Sequence, residues 1–207
     1  MKKELLIDTI MFDIDPEQLQ ESIKENGKCI VKGIIQRANH KNYNERIYPK
    51  DILMREVKKY STKIAERRAL GELDHPDSSV VNLQNVSHNV LKVDWNGDDL
   101  HGVIEILGTP SGNILKELLN AGIKLGISSR GMGSVKEVQL EDDENGSGSA
   151  HQVEEDFELI AFDFVSDPST QGAFMNKMNE SKNYENRSKY AVVESLITDI
   201  LTNIDNE

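Results

Sequence analysis

The sequence predicts an α+β fold: an antiparallel β-barrel or strongly curled β-sheet with helices inserted between its strands. Three observations carry this. β-Branched and apolar runs recur through residues 28–172, separated by hairpin signals. Two segments inside that body switch to helical spacing. Strands and helices do not alternate regularly, and no Gly-rich phosphate loop opens a helix, so a parallel βαβ array is not indicated.

Each element follows from its residues. Residues 1–27 are charged and read as a weakly structured N-terminal arm. Within it PEQLQESIKE, residues 16–25, suits a helix with Asp15 as cap and Pro16 at the first position. KCIVKGIIQR, residues 28–37, is a strand. ANHKNYNERIYP is a polar loop, and residues 50–66 form an amphipathic helix after Pro49. Residues 80–95 alternate as a strand, NGDD at 96–99 turns, and LHGVIEIL returns. TPSGNILKELLNAG is a second helix, capped by Thr109 or Ser111 and ended by Gly122. IKLGISSRG and SVKEVQLE are extended. EDDENGSGSA, residues 141–150, is an acidic Gly/Ser loop expected to be mobile. HQVEEDFELIAFDFV is a long strand region closed by Asp-Pro-Ser. The chain thus divides into the arm (1–27), a globular domain (28–175), and a polar linker with a C-terminal amphipathic helix (176–207).

Composition narrows the function. A formal net charge of −12 argues against a binder of nucleic-acid backbone, which needs a basic face. The single cysteine, Cys29, excludes an intramolecular disulfide or a Cys-based zinc site, and its apolar neighbours make it a buried hydrophobe. No stretch reaches a membrane-spanning length, and the N-terminus does not read as a secretory signal, so a cytosolic setting is expected.

Two short motifs carry chemistry. GELDHP places His75, whose ordinary pKa suits proton transfer, before a φ-locked proline. GISSRG places Ser128, Ser129 and Arg130 between Gly126 and Gly131. A serine needs a base and oxyanion donors. His75 supplies the first, and groups around Arg130 and Gly131 are candidates for the second or for supporting the turn. In an extended segment Ser128 and Arg130 share one face and Ser129 takes the other. For the residue that orients the imidazole, AFDFVSDPS offers Asp163 and Asp167. Asp163 is favoured, because an aspartate amid an apolar strand is costly unless paired. A rival metal-dependent hydrolase would use His75 with Glu72, Asp74, Asp163 or Asp167, but it lacks a compact multi-histidine set.

GELDHP, GISSRGMGS and FDFVSDPS together, with the Asn44-Glu45-Arg46-Ile47-Tyr48-Pro49 segment, resemble the prohead core proteases of T-even-type tailed phages over about residues 30–175. The resemblance implies an assemblin-like fold and a serine endopeptidase of capsid maturation that needs no cofactor and no metal. It implies His75 as base and the first serine, Ser128, as nucleophile, with Ser129 a lesser candidate. The apolar strand before the Asp-Pro-Ser turn points to Asp163 as the third member, with Asp167 a lesser candidate. It further implies self-activation, cleavage after Glu in Leu/Ile-x-Glu contexts, and scaffold/core and major capsid proteins as substrates. The setting is the immature capsid inside the host cytoplasm, without nucleic-acid or membrane partners, and a homo-oligomer is compatible with it. Leu19-Gln20-Glu21 in the arm matches the cleavage context, so the arm is a candidate for removal. The contrasting reading is a non-catalytic structural or scaffold-binding barrel of the same assembly lineage.

Overall fold

The computed structural model describes residues 3–12, 28–74, 76, 78–140 and 148–166. The expectations for residues 16–25, for most of the acidic loop, for His75 and Asp167, and for the tail lie outside these residues.

Among the described residues ten strands form three sheets. In the first, β7 (Leu125–Gly133) lies between β1 (Glu4–Phe12) and β10 (Glu158–Val165), antiparallel to both. The second has the order β2 (Cys29–Arg37), β6 (Asp99–Ile106), β5 (Val86–Asn96), β4 (Leu70–Glu72). The third joins β3 (Arg46–Ile47), β9 (Gly148–Val153) and β8 (Val135–Leu140), with β3 parallel to β9. A parallel bridge, Leu73 to Phe164, links the end of β4 to β10. Among the described residues no sheet closes on itself. Over the described residues the fold is therefore mostly β with two helices, and the barrel expected from the sequence is not seen there.

The helices form where local chemistry dictates. α1 (Lys50–Ala65) follows Pro49, carries Asp51 in its first turn and Lys63 in its last, and buries Ile52, Leu53, Val57 and Tyr60. α2 (Pro110–Asn120) starts at Thr109, whose hydroxyl accepts the Gly112 N–H at 3.0 Å. It ends beside Gly122, which takes the left-handed conformation at φ 73°.

Three expectations need correction. The arm is not weakly structured over Glu4–Phe12: it is β1, paired residue for residue with β7. Its alternation is disguised in the sequence because the inward set, Leu6, Asp8 and Ile10, includes a charge. The region 80–95 becomes a strand only from Val86, and the long final strand region is two strands separated by Glu154–Phe157. One core joins all of this: Leu6, Val31, Ile35, Leu53, Tyr60, Val90, Ile104, Ile127, Phe162 and Phe164 are buried together. Cys29 is buried, as its neighbours suggest.

Candidate active site

The middle strand of the first sheet carries the serine motif. Register sets Ser128 opposite Asp163 on β10 and Thr9 on β1. Directly opposed residues share a face, with Cβ atoms about 5 Å apart. Ser128, Arg130 and Asp163 therefore stand on one side. Ser129 stands on the other, with Phe162, Phe164 and Asp8. The alternation expected for Ser128, Ser129 and Arg130 is thus seen in the ladder.

The two serines differ in what they touch. Ser129 Oγ accepts a hydrogen bond from Gln36 Nε2 at 2.6 Å. Ser128 is fully buried, and its Oγ has no hydrogen-bond partner among the described residues. A buried hydroxyl left unpaired is costly, so its retention marks a site where stability was not the only criterion.

Arg130 is the hub of the Ser128 face. Its guanidinium is fully buried. Nη2 donates to Glu72 Oε1 at 2.9 Å and to Asp163 Oδ1 at 3.2 Å, and Nη1 donates to the Ser78 carbonyl at 2.8 Å. Nε lies 2.8 Å from Asp163 Oδ2, an ionic contact that is not aligned as a hydrogen bond. Asp163 Oδ1 also accepts the Glu72 N–H at 3.0 Å. Burial pushes the Asp163 carboxyl up, and Arg130 beside it opposes that shift. These bonds engage both Nη atoms of Arg130. The oxyanion support suggested for Arg130 and Gly131 is also limited by the backbone, which is laddered to β1 and β10 on both sides. Gly131 has a packing role: a Cβ there would sit 2.4 Å from Phe157 Cε2.

His75 is outside the described residues, but both of its flanks are tied to this face. The Leu73 N–H donates to the Asn85 carbonyl at 3.0 Å, and the Asp74 N–H donates to the Phe164 carbonyl at 2.7 Å. Asp74 is left-handed at φ 62°, a conformation aspartate tolerates better than most residues. Beyond the histidine, Ser78 meets Arg130, and the Asn82 N–H donates to Glu72 Oε1 at 3.0 Å. Glu72, Asp74 and Ser78 are therefore tied to β7 and β10, and Asn82 to Glu72. Gly71 permits the approach, since a Cβ there would lie 2.0 Å from the Phe162 carbonyl.

Several residues escaped sequence reasoning. Glu72 sits within GELDHP yet drew notice only as a metal ligand. Asp8 is buried on the Ser129 side, within the stretch that the sequence presents as a weakly structured arm. The test that singled out Asp163, a carboxylate inside an apolar strand, would have found it. His88 on β5 is fully buried, with Nε2 2.9 Å from the Phe162 carbonyl and Nδ1 2.8 Å from Ser87 Oγ, and burial lowers its pKa to about 4. Among the described residues no three His, Cys, Asp or Glu side chains are grouped to hold a metal ion.

Comparison with known proteins agrees with the motifs. Residues 7–183 match the prohead core protein serine protease family. The chain is 32% identical over 161 residues to the prohead core protein protease of Enterobacteria phage T4, spanning 75% of this chain and 72% of that one. Its fold is similar to the structure of the bacteriophage T4 capsid assembly protease, with a TM-score of 0.64 and 30% identity over 80% of this chain and 99% of that one. A match over most of the chain, with GELDHP and GISSRG inside it, places this protein among the serine proteases of phage capsid assembly, and it belongs to the prohead core protein serine protease family.

Proposed function

We propose that this protease cleaves peptide bonds after Glu in Leu/Ile-x-Glu contexts, with Ser128 as nucleophile and His75 as general base. In this reading His75 takes the Ser128 proton as Oγ attacks the scissile carbonyl, then returns it to the leaving amine. Asp163 is the carboxylate that stabilises the imidazolium. Ser129 and Asp167 are the lesser alternatives. The observation that carries this assignment is the unpaired Ser128 Oγ, buried directly across from Asp163. It gains support from the anchoring of both flanks of His75 beside the same strands.

The substrates proposed are scaffold/core proteins and the major capsid protein within the immature capsid, and the protease is proposed to activate itself. Full burial of Ser128 is in keeping with a precursor, since substrate reaches the hydroxyl only after its cover moves. Cleavage after Glu21 is the self-processing event proposed from the sequence. The curled sheets are proposed to correspond to an assemblin-like arrangement.

Intact-mass analysis tests the chemistry. Wild type, Ser128→Ala, Ser129→Ala and His75→Ala are each incubated with a scaffold-like polypeptide containing Leu-x-Glu. Cleavage after Glu by wild type and Ser129→Ala, with Ser128→Ala and His75→Ala inert, is the expected pattern. An inert Ser129→Ala beside an active Ser128→Ala would move the nucleophile to the other face of β7.

A further inference from the structure

β1 is held by contacts that do not pass through the chain following it. Its nine residues pair with Leu125–Gly133, and Leu6 is fully buried in the core. Asp8, only 3% exposed, is gripped by alternate residues of one short segment. Asn44 Nδ2 donates to Oδ1 at 2.7 Å, Arg46 Nη1 donates to the same oxygen at 3.1 Å, and the Tyr48 hydroxyl donates to Oδ2. Asn44 and Arg46 also reach the Ile7 carbonyl, at 2.9 and 3.2 Å. From β7, Ser129 Oγ lies 3.4 Å from the Asp8 carbonyl.

The gripping segment is itself fixed without help from β1. Asn42 Oδ1 accepts the N–H groups of Asn44 and Arg46 at 3.0 and 2.9 Å. Arg46 and Ile47 pair with His151 and Gln152. Tyr48 packs edge-on against Phe157, with ring centroids 5.3 Å apart. The seat is therefore built from the body of the protein and reads a buried aspartate together with a strand's worth of backbone. This is recognition by strand addition with one charged anchor.

We infer that the N-terminal strand is a peptide ligand of its own enzyme. The edge of β7 and the Asn44–Arg46–Tyr48 grip form its binding site, and residues 4–12 stay seated when the chain is cut between residues 12 and 28. Such a cut adds one water and divides one peptide bond, and it breaks no bond of the ladder or the grip. The processed protease is then two polypeptides. The inference rests on the self-processing reading only for the agent of the cut, because the seat is the same whichever protease makes it. Retention matters to the site because Thr9 pairs with Ser128, so losing β1 would bare the edge of the nucleophile strand.

The test uses the full chain carrying Ser128→Ala, with a recognition sequence for an unrelated site-specific protease placed between residues 12 and 28. After complete cutting, verified by denaturing mass, gel filtration and native mass spectrometry should find the N-terminal peptide still with the core, at the uncut mass plus one water. A labelled synthetic peptide of residues 1–14 should then exchange into the cut protein. The same peptide with Asp8→Ala should compete at least about tenfold less well. Because the change lies in the peptide, the core is folded in both arms. Separation of the peptide from a folded core, or equal competition by the two peptides, would overturn the inference. A wild-type chain with no peptidase activity would remove the proposed function and leave this binding result standing.

Discussion

Ser128 and Ser129 are adjacent in sequence and opposite in circumstance. Ser129→Ala leaves Gln36 Nε2 without its buried acceptor, so it should cost about 1–3 kcal/mol in urea unfolding while sparing peptidase activity. Ser128→Ala removes a buried hydroxyl with no hydrogen bond among the described residues, so it should leave stability unchanged or raise it by about 1 kcal/mol, and lower activity by about 10³-fold or more. Arg130→Met strands two fully buried carboxylates, and a loss of about 3–5 kcal/mol is expected in the same measurement. Neutral His88 gives a pH signature. Its folded pKa of about 4 lies below the ordinary 6.5, so its contribution is complete above about pH 6.5 and is lost as pH falls toward 4. The loss approaches about 3 kcal/mol at 1.36 kcal/mol per pH unit, and His88→Gln should flatten the stability profile across that window. Carboxylates held low by basic partners, such as Glu105 beside Lys28 and Arg67, make themselves felt below about pH 4.5, under the histidine window. At this scale the sequence disclosed the motifs but not the partners of their side chains. Arg130 meets Glu72 across 58 residues and Asp163 across 33, and no spacing rule connects those positions.

Elements were legible in proportion to how local their causes are. The helix expected at 50–66 is Lys50–Ala65, and of the two caps offered for the second helix, Thr109 and Ser111, Thr109 is the one used. Both depend on neighbours within a turn or two. β1 was missed because every one of its ladder partners is more than a hundred residues away, from Gly133 opposite Glu4 to Leu125 opposite Phe12. Strand propensity is largely a statement about such partners, so a nine-residue run with two charges does not declare itself. The same dependence makes the central strand sensitive to volume. Gly131→Ala drives a methyl group to 2.7 Å from the Glu158 carbonyl as well as into Phe157, and neither neighbour can withdraw without disturbing β10. A destabilisation of about 1–3 kcal/mol is expected by thermal or urea unfolding, with reduced activity, because the shift propagates to Ser128 three residues away.

For the whole molecule, the two motifs are united by tertiary structure alone. The sequence indicated a β-rich body with two inserted helices, which is what the chain forms. It overstated closure: hairpin signals specify neighbours along the chain, and the joining of separate sheets depends on contacts such as Leu73 with Phe164. The order β1–β7–β10 has one more consequence, and it concerns time. The strand bearing Ser128 is flanked by residues 4–12 and by residues 158–165, nearly the first and the last of the described chain. A ribosome adding about 5–20 residues per second needs about 8–30 s to pass Val165. Until then the sheet lacks Asp163, and the segment around His75 lacks Phe164 to hold it. Synthesis itself thus delays assembly of this sheet until Val165 has been made. Ribosome-stalled chains ending near residue 150 should be inert toward a Leu-x-Glu substrate, whereas chains extended enough for Val165 to clear the exit tunnel should acquire the assembled sheet.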